Sequence, residues 1–210
     1  MVFEDRHLLV INKPSGLLSL SGKNPLNKDS VHHRLVKDYP SALMVHRLDF
    51  GTSGLMVLAL NKTVNANLTK QFQARLVSKR YEATLLGHLA EDEGVIIAPL
   101  AKGVFPYQKV CTEFGKVAES HYRVLARSVD PCSGAKVTHV VFTPSTGRTH
   151  QLRVHSQFIG HPIIGCDLYG LTINGVSSEL LAERLMLHAS RLQFEHPITR
   201  DSMCFECSND

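Results

Sequence analysis

An α+β domain with a mixed, mostly antiparallel sheet and flanking helices is what this sequence predicts, and three observations predict it. Strand-like apolar runs outnumber segments with helical periodicity. The strands come in runs rather than alternating one for one with helices, as a parallel α/β sheet would demand. Hydrophobic residues make up 43% and charged residues 20% of the 210-residue chain, enough apolar material for a packed core of ordinary size.

Element by element, Leu8-Leu9-Val10-Ile11 reads as a strand ended by the turn Asn12-Lys13-Pro14-Ser15-Gly16. Val31, Leu35 and Val36 give a short helix from Asp29 or Ser30 to Asp38, stopped by Tyr39-Pro40. Leu55 to Leu60 is uninterruptedly apolar, the mark of a strand buried on both faces. Asn61 caps a helix that places Val64, Leu68 and Phe72 on one face and runs to about Arg75. Strands follow at residues 80–87 and 95–97. Residues 99–117, with Gly103, Pro106 and Gly115, read as a long loop. Alternation predicts strands at 118–126 and 135–143. Thr149 to Ile159 reads as a helix closed by Gly160. Residues 161–176 are rich in turn formers, 177–184 suit a short helix, and 187–194 and 203–207 close the sheet. No internal repeat, low-complexity stretch or domain boundary stands out, so one domain over 1–210 is expected.

No apolar run approaches the roughly 20 residues of a membrane-spanning helix, and Met1 to Arg6 lacks the basic and apolar regions of a signal peptide. A cytoplasmic location is expected. The five cysteines are odd in number and read as reduced. Cys204 and Cys207 form a CxxC, but on a strand residues three apart point to opposite faces, which argues against a zinc site. His150 and His155, five apart, are poorly spaced to chelate a metal. A net charge of +4 permits an anionic partner. Phosphate-loop, dinucleotide, α/β-hydrolase and deaminase signatures are absent. No heptad or long apolar edge is apparent, so a monomer is expected.

Three segments carry chemistry. In His46-Arg47-Leu48-Asp49-Phe50-Gly51-Thr52-Ser53-Gly54 a carboxylate sits on the turn entering the buried strand, where the scaffold can hold it. In Thr146-Gly147-Arg148-Thr149-His150-Gln151-Leu152-Arg153-Val154-His155 a turn delivers Arg148 to a helix start that favours anions. In Arg75 to Tyr81 a basic cluster precedes a tyrosine that opens a strand, a pattern that suits nucleic acid.

Taken together, these segments resemble the RluA-type pseudouridine synthase family. His46-Arg47-Leu48-Asp49-x-x-Thr52-Ser53-Gly54 is similar to its hallmark motif, Asn12-Lys13-Pro14-Ser15-Gly16 to its N-terminal motif, Lys79-Arg80-Tyr81 to its tyrosine segment and Thr146 to His155 to its arginine segment. Gly160-His161-Pro162-Ile163-Ile164-Gly165-Cys166-Asp167 and Leu185-Met186-Leu187-His188-Ala189 are similar too, although relatives usually have Gly-Asp where Cys166 intervenes here. The resemblance implies the pseudouridine synthase catalytic fold with a central active-site cleft, in a single catalytic domain without the S4-like domain many relatives carry. It implies an isomerase that uses no cofactor and no metal. Lys28 to Val31, Asp38 to Pro40 and Gln108 to Cys111 point to the branch acting on 23S ribosomal RNA, on the anticodon loop of certain tRNAs, or on both. The contrasting expectation is a catalytically silent RNA-binding module on the same fold, against which an intact Asp49, Tyr81 and Arg148 argue.

The resemblance casts Asp49 as nucleophile, Tyr81 as the ring against the uracil and Arg148 as the cation that keeps a buried carboxylate ionised. Arg47, His46, Lys79, Arg80 and Arg153 are the candidate RNA contacts. Asp49 could attack the sugar, attack the base or act as a base itself; the sequence leaves all three open.

Overall fold

A computed structural model of the chain describes residues 1–22 and 27–208. Its strands are β1 (Phe3–Glu4), β2 (Leu8–Lys13), β3 (Leu43–Met44), β4 (Ser53–Ala59), β5 (Ser78–Leu86), β6 (Glu93–Ile97), β7 (Leu100–Lys102), β8 (Gln108–Val110), β9 (Glu119–Val129), β10 (Lys136–Pro144), β11 (Thr172–Ile173), β12 (Val176–Ser177), β13 (Leu187–Glu195) and β14 (Ser202–Glu206). The helices are α1 (Val31–Leu35), α2 (Lys62–Gln73) and α3 (Gln151–Phe158), with a 3₁₀ turn at Ser178–Leu181. Short helices beside many strands make this the expected α+β class.

The chain forms two compact units. The first joins both ends of the sequence, Met1–Lys79 and His188–Asp210. Its central strand β4 is buried along its whole length, as its apolar run requires. β2 pairs with it antiparallel (Val10 opposite Val57), whereas β13 pairs with it parallel through His188 opposite Ser53. Helix α2 starts where the Asn61 side chain accepts the Val64 N–H at 2.9 Å, and its Val64 and Leu68 close a core with Leu8, Leu55, Val57, Leu192 and Phe194.

The second unit, Arg80–Leu187, is built on the antiparallel order β5-β10-β9-β6. Tyr81 lies opposite Phe142 in that sheet. Val140, Phe142, Leu85 and Ile163 fill its core against Leu152 and Val154 of α3. One expectation fails here: residues 99–117 are not structureless, because β7 and β8 pair antiparallel from Leu100–Val110 to Lys102–Gln108. Leu100 is buried and anchors the hairpin, while its tip contains the Gly and Pro that made it read as loop.

Candidate active site

Asp49 lies in the first unit, on the loop from β3 to β4, and is half-buried. The loop backbone is held on both sides of it. Ser19 Oγ accepts the Leu48 N–H at 3.1 Å and donates to the Leu48 carbonyl at 2.7 Å. The Phe50 carbonyl accepts the Gly16 N–H at 3.0 Å, and the Gly51 carbonyl accepts the Ser15 hydroxyl at 2.7 Å. A short turn closes with Thr52 N–H on the Asp49 carbonyl at 3.1 Å. The carboxylate is therefore carried by a backbone with little freedom, as a reacting group requires.

A buried cation underlies this loop. Lys13, fully inaccessible to solvent, donates its three Nζ hydrogens to the carbonyls of Pro14 (2.9 Å), Leu17 (2.7 Å) and Phe50 (3.2 Å). Burial pulls its pKa down to about 8, and the negative charge of Asp49 opposes that pull. In the sequence Lys13 is one residue of the Asn12 to Gly16 turn, with nothing beside it to mark a role. The missed signal is a lysine ending an apolar strand, where a charge is retained only if it is fully partnered.

Past the loop, Ser53 Oγ lies 2.9 Å from His188 Nδ1, and His188 Nε2 reaches the Cys207 carbonyl at 3.2 Å. Gly54 has φ +113°, and a Cβ there would stand 2.4 Å from the Ala189 carbonyl oxygen. The glycine of the hallmark motif thus lets β13 approach the entry of β4.

His46 serves the scaffold. Its ring stacks on Phe72 at 4.6 Å, and its Nε2 accepts the Val57 N–H at 3.1 Å, which requires that nitrogen to be unprotonated. Desolvation, with Lys79 nearby, lowers its pKa to about 3. Its acceptor nitrogen is thus committed inside the unit. Lys79 is itself half-buried, and burial lowers its pKa. Arg47 is exposed.

In the second unit, Tyr81 is half-buried on β5 and packs against the core. Arg80 lies 3.7 Å from Glu82. Arg148 sits on an exposed turn organised by the buried Gln151. That amide oxygen accepts the Thr146 hydroxyl at 2.7 Å and the Arg148 N–H at 3.0 Å, and its nitrogen donates to the Glu119 carbonyl at 2.9 Å. Arg148 Nε donates to the Val117 carbonyl at 3.0 Å. His150 takes a left-handed conformation (φ 55°) at the start of α3.

Arg153 is held inside the second unit. It is 4% exposed, and its guanidinium bonds Asp167 at 2.5 Å and Cys166 Sγ at 3.3 Å and lies 5.2 Å from the Tyr169 ring centre. The same contacts give Cys166 its place: buried in the core, it accepts from Arg153. His155 bonds Ser120 Oγ and the Ala98 carbonyl, both at 3.0 Å. Among the described residues no cluster suited to a metal ion occurs, and no helix is long and apolar enough to cross a membrane.

Comparison with known proteins places this arrangement. The family model for RNA pseudouridylate synthase matches residues 7–158. A dual-specificity RNA pseudouridine synthase RluA of Yersinia pestis is 45% identical over 209 residues, covering 99% of this chain and 97% of that protein. The protein of the same description from Escherichia coli K12 is 42% identical, covering 100% of this chain and 93% of its own length. Among solved structures, human RNA pseudouridylate synthase domain containing 1 matches with a TM-score of 0.81 at 29% identity, over 99% of this chain and 82% of that one.

Proposed function

The chain belongs to the RNA pseudouridylate synthase family, and from that premise we propose that it isomerises uridine to pseudouridine in both 23S ribosomal RNA and a tRNA anticodon loop, with Asp49 as the nucleophile. Pseudouridylation breaks the N1–C1′ bond, turns the uracil, joins C5 to C1′, removes the C5 proton and leaves a proton on the freed N1. Atoms and electrons balance without a redox partner. The observation that carries the assignment is the Asp49 loop, with backbone bonds on either side of the carboxylate and a buried ammonium beneath it. The dual target rests on the two relatives, both described as dual-specificity enzymes.

Tyr81 supplies the ring that packs on the extruded uracil, and Arg148 the positive charge the reaction needs. Arg47, exposed beside Asp49, is the first candidate for contact with the RNA as the base leaves its stack, a step that costs a few kcal/mol. Phosphate contacts offset that cost.

Asp49→Asn keeps the shape and removes the charge. Pseudouridine mapping of both RNAs by carbodiimide and primer extension should show less than about one per cent of wild-type conversion, with the fold and RNA affinity retained. Conversion well above that level removes Asp49 from the nucleophile role. Conversion of one RNA alone by the wild type narrows the target.

A further inference from the structure

The hairpin of β7 and β8, with the strap to Val117 that follows it, presents an unusual surface. Phe105 at its tip is 93% exposed, Phe114 on the strap 67% and Tyr107 45%. Lys102, Lys109 and Lys116 are exposed among them, against a single carboxylate, Glu113, between residues 102 and 116. Lys109 Nζ lies 5.9 Å from the Phe114 ring centre. Solvent-facing aromatics interleaved with cations give unpaired bases a face to stack on and phosphates a charge to meet.

The surface is also built rather than loose. Gly103 N–H donates to the Tyr107 carbonyl at 3.0 Å, Tyr107 N–H to the Val104 carbonyl at 2.8 Å and Cys111 N–H to the Pro99 carbonyl at 2.8 Å. Three further bonds tie it to the Arg148 turn. Tyr169 Oη accepts the Gln108 N–H at 2.8 Å and lies 2.7 Å from His150 Nδ1, to which its hydroxyl hydrogen can be given. The Val117 carbonyl accepts from Arg148 itself.

We infer that this hairpin and strap form a docking surface for the unpaired loop of the RNA substrate, with bases stacking on Phe105 and Phe114 and phosphates falling on the three lysines. The inference rests on the function proposed above and adds where that RNA is held. Net positive charge and interleaved aromatics select single-stranded nucleic acid over an acid-rich or purely apolar partner. Tyr169 is the positioning residue that passes the grip to the Arg148 segment.

The test uses the full chain and a fluorescein-labelled tRNA anticodon stem-loop, with affinity read by fluorescence anisotropy and conversion read separately at saturating RNA. Phe105→Ala and Phe114→Ala should each raise Kd about tenfold or more while saturating turnover changes less than about threefold. Replacing Lys102, Lys109 and Lys116 by Gln should flatten the slope of log Kd against log salt by about two to three. All these side chains are exposed, so melting curves should stay unchanged. Tyr169→Phe should weaken binding, and combined with Phe105→Ala should cost less than the product of the two single effects. Unchanged affinity and slope in these variants overturn the inference. So does a loss confined to binding of phosphatidylglycerol vesicles, which gives the surface to lipid, or to self-association, which gives it to a second copy. If wild type binds the stem-loop through these residues yet forms no pseudouridine, the docking surface stands and the proposed function falls. If conversion proceeds and Phe105→Ala binds normally, the reverse holds.

Discussion

Lys13 and His46 are ionisable groups whose burial makes the stability of the fold rise with pH, each in its own window. The folded chain gives up the Lys13 proton near pH 8, the unfolded chain near 10.5. Below pH 8 both states hold the proton and the folded state bears the full cost of burying it. Between 8 and 10.5 only the unfolded state keeps it, so this group makes the fold more stable as pH rises through that window. The melting temperature of wild type relative to Lys13→Met should therefore climb from pH 7.5 to 10; a pH-independent difference refutes the linkage. His46 works in the same sense at lower pH. Its folded pKa near 3 lies below the ordinary 6.5, so the stability it leaves intact above 6.5 is lost as acid protonates the unfolded chain first. His46→Gln, which keeps an acceptor for the Val57 N–H, should melt with a shallower dependence between pH 6.5 and 4. Arg153→Ala should cost about 2–3 kcal/mol of stability and leave the salt dependence of RNA binding untouched, the opposite of a phosphate contact. Asp49, Tyr81 and Arg148 stand out in the sequence because each lies in an unusual string. The work of Lys13, His188 and Tyr169 does not, because it consists of bonds to distant main chain and side chains: Lys13 to Phe50, His188 to Ser53, Tyr169 to Gln108.

Elements were legible where their periodicity was unmixed. The apolar run of β4 and the Asn61-capped face of α2 announce themselves, and Asn61→Ala should cost about 1 kcal/mol by removing the cap, measurable by urea denaturation. Residues 99–117 misled because Gly103, Pro106 and Gly115 outweigh a hairpin of two three-residue strands, shorter than any alternation can register. Helix α3 starts two residues later than its pattern suggests, because His150 is left-handed and the Gln151 side chain takes over the turn. The Gly54 register with Ala189 was not readable either, since it joins strands from opposite ends of the chain. Gly54→Ala puts a methyl group into that backbone contact at φ +113°. It should destabilise by more than about 3 kcal/mol, or leave the protein insoluble. A soluble variant with wild-type melting would show that β13 can yield.

At the scale of the molecule, the α+β class and the family were readable from ordered motifs, while the division into two compact units was not. The sequence shows no linker because the second unit is inserted into the first along strands, leaving at Lys79 and returning at His188. With a net charge of only +4, affinity for RNA should depend on local clusters, so variants outside them should leave the salt slope of wild type unchanged when titrated by anisotropy. The split path has a further consequence during protein synthesis. The strand that lies beside Ser53 is translated 135 residues later, and β14, which borders β13, later still. Domains fold as the chain emerges, N-terminal parts first, yet here the second unit can mature while the first still waits for its closing strands. Until β13 emerges, the entry of β4 lacks the strand that Gly54 is shaped to admit.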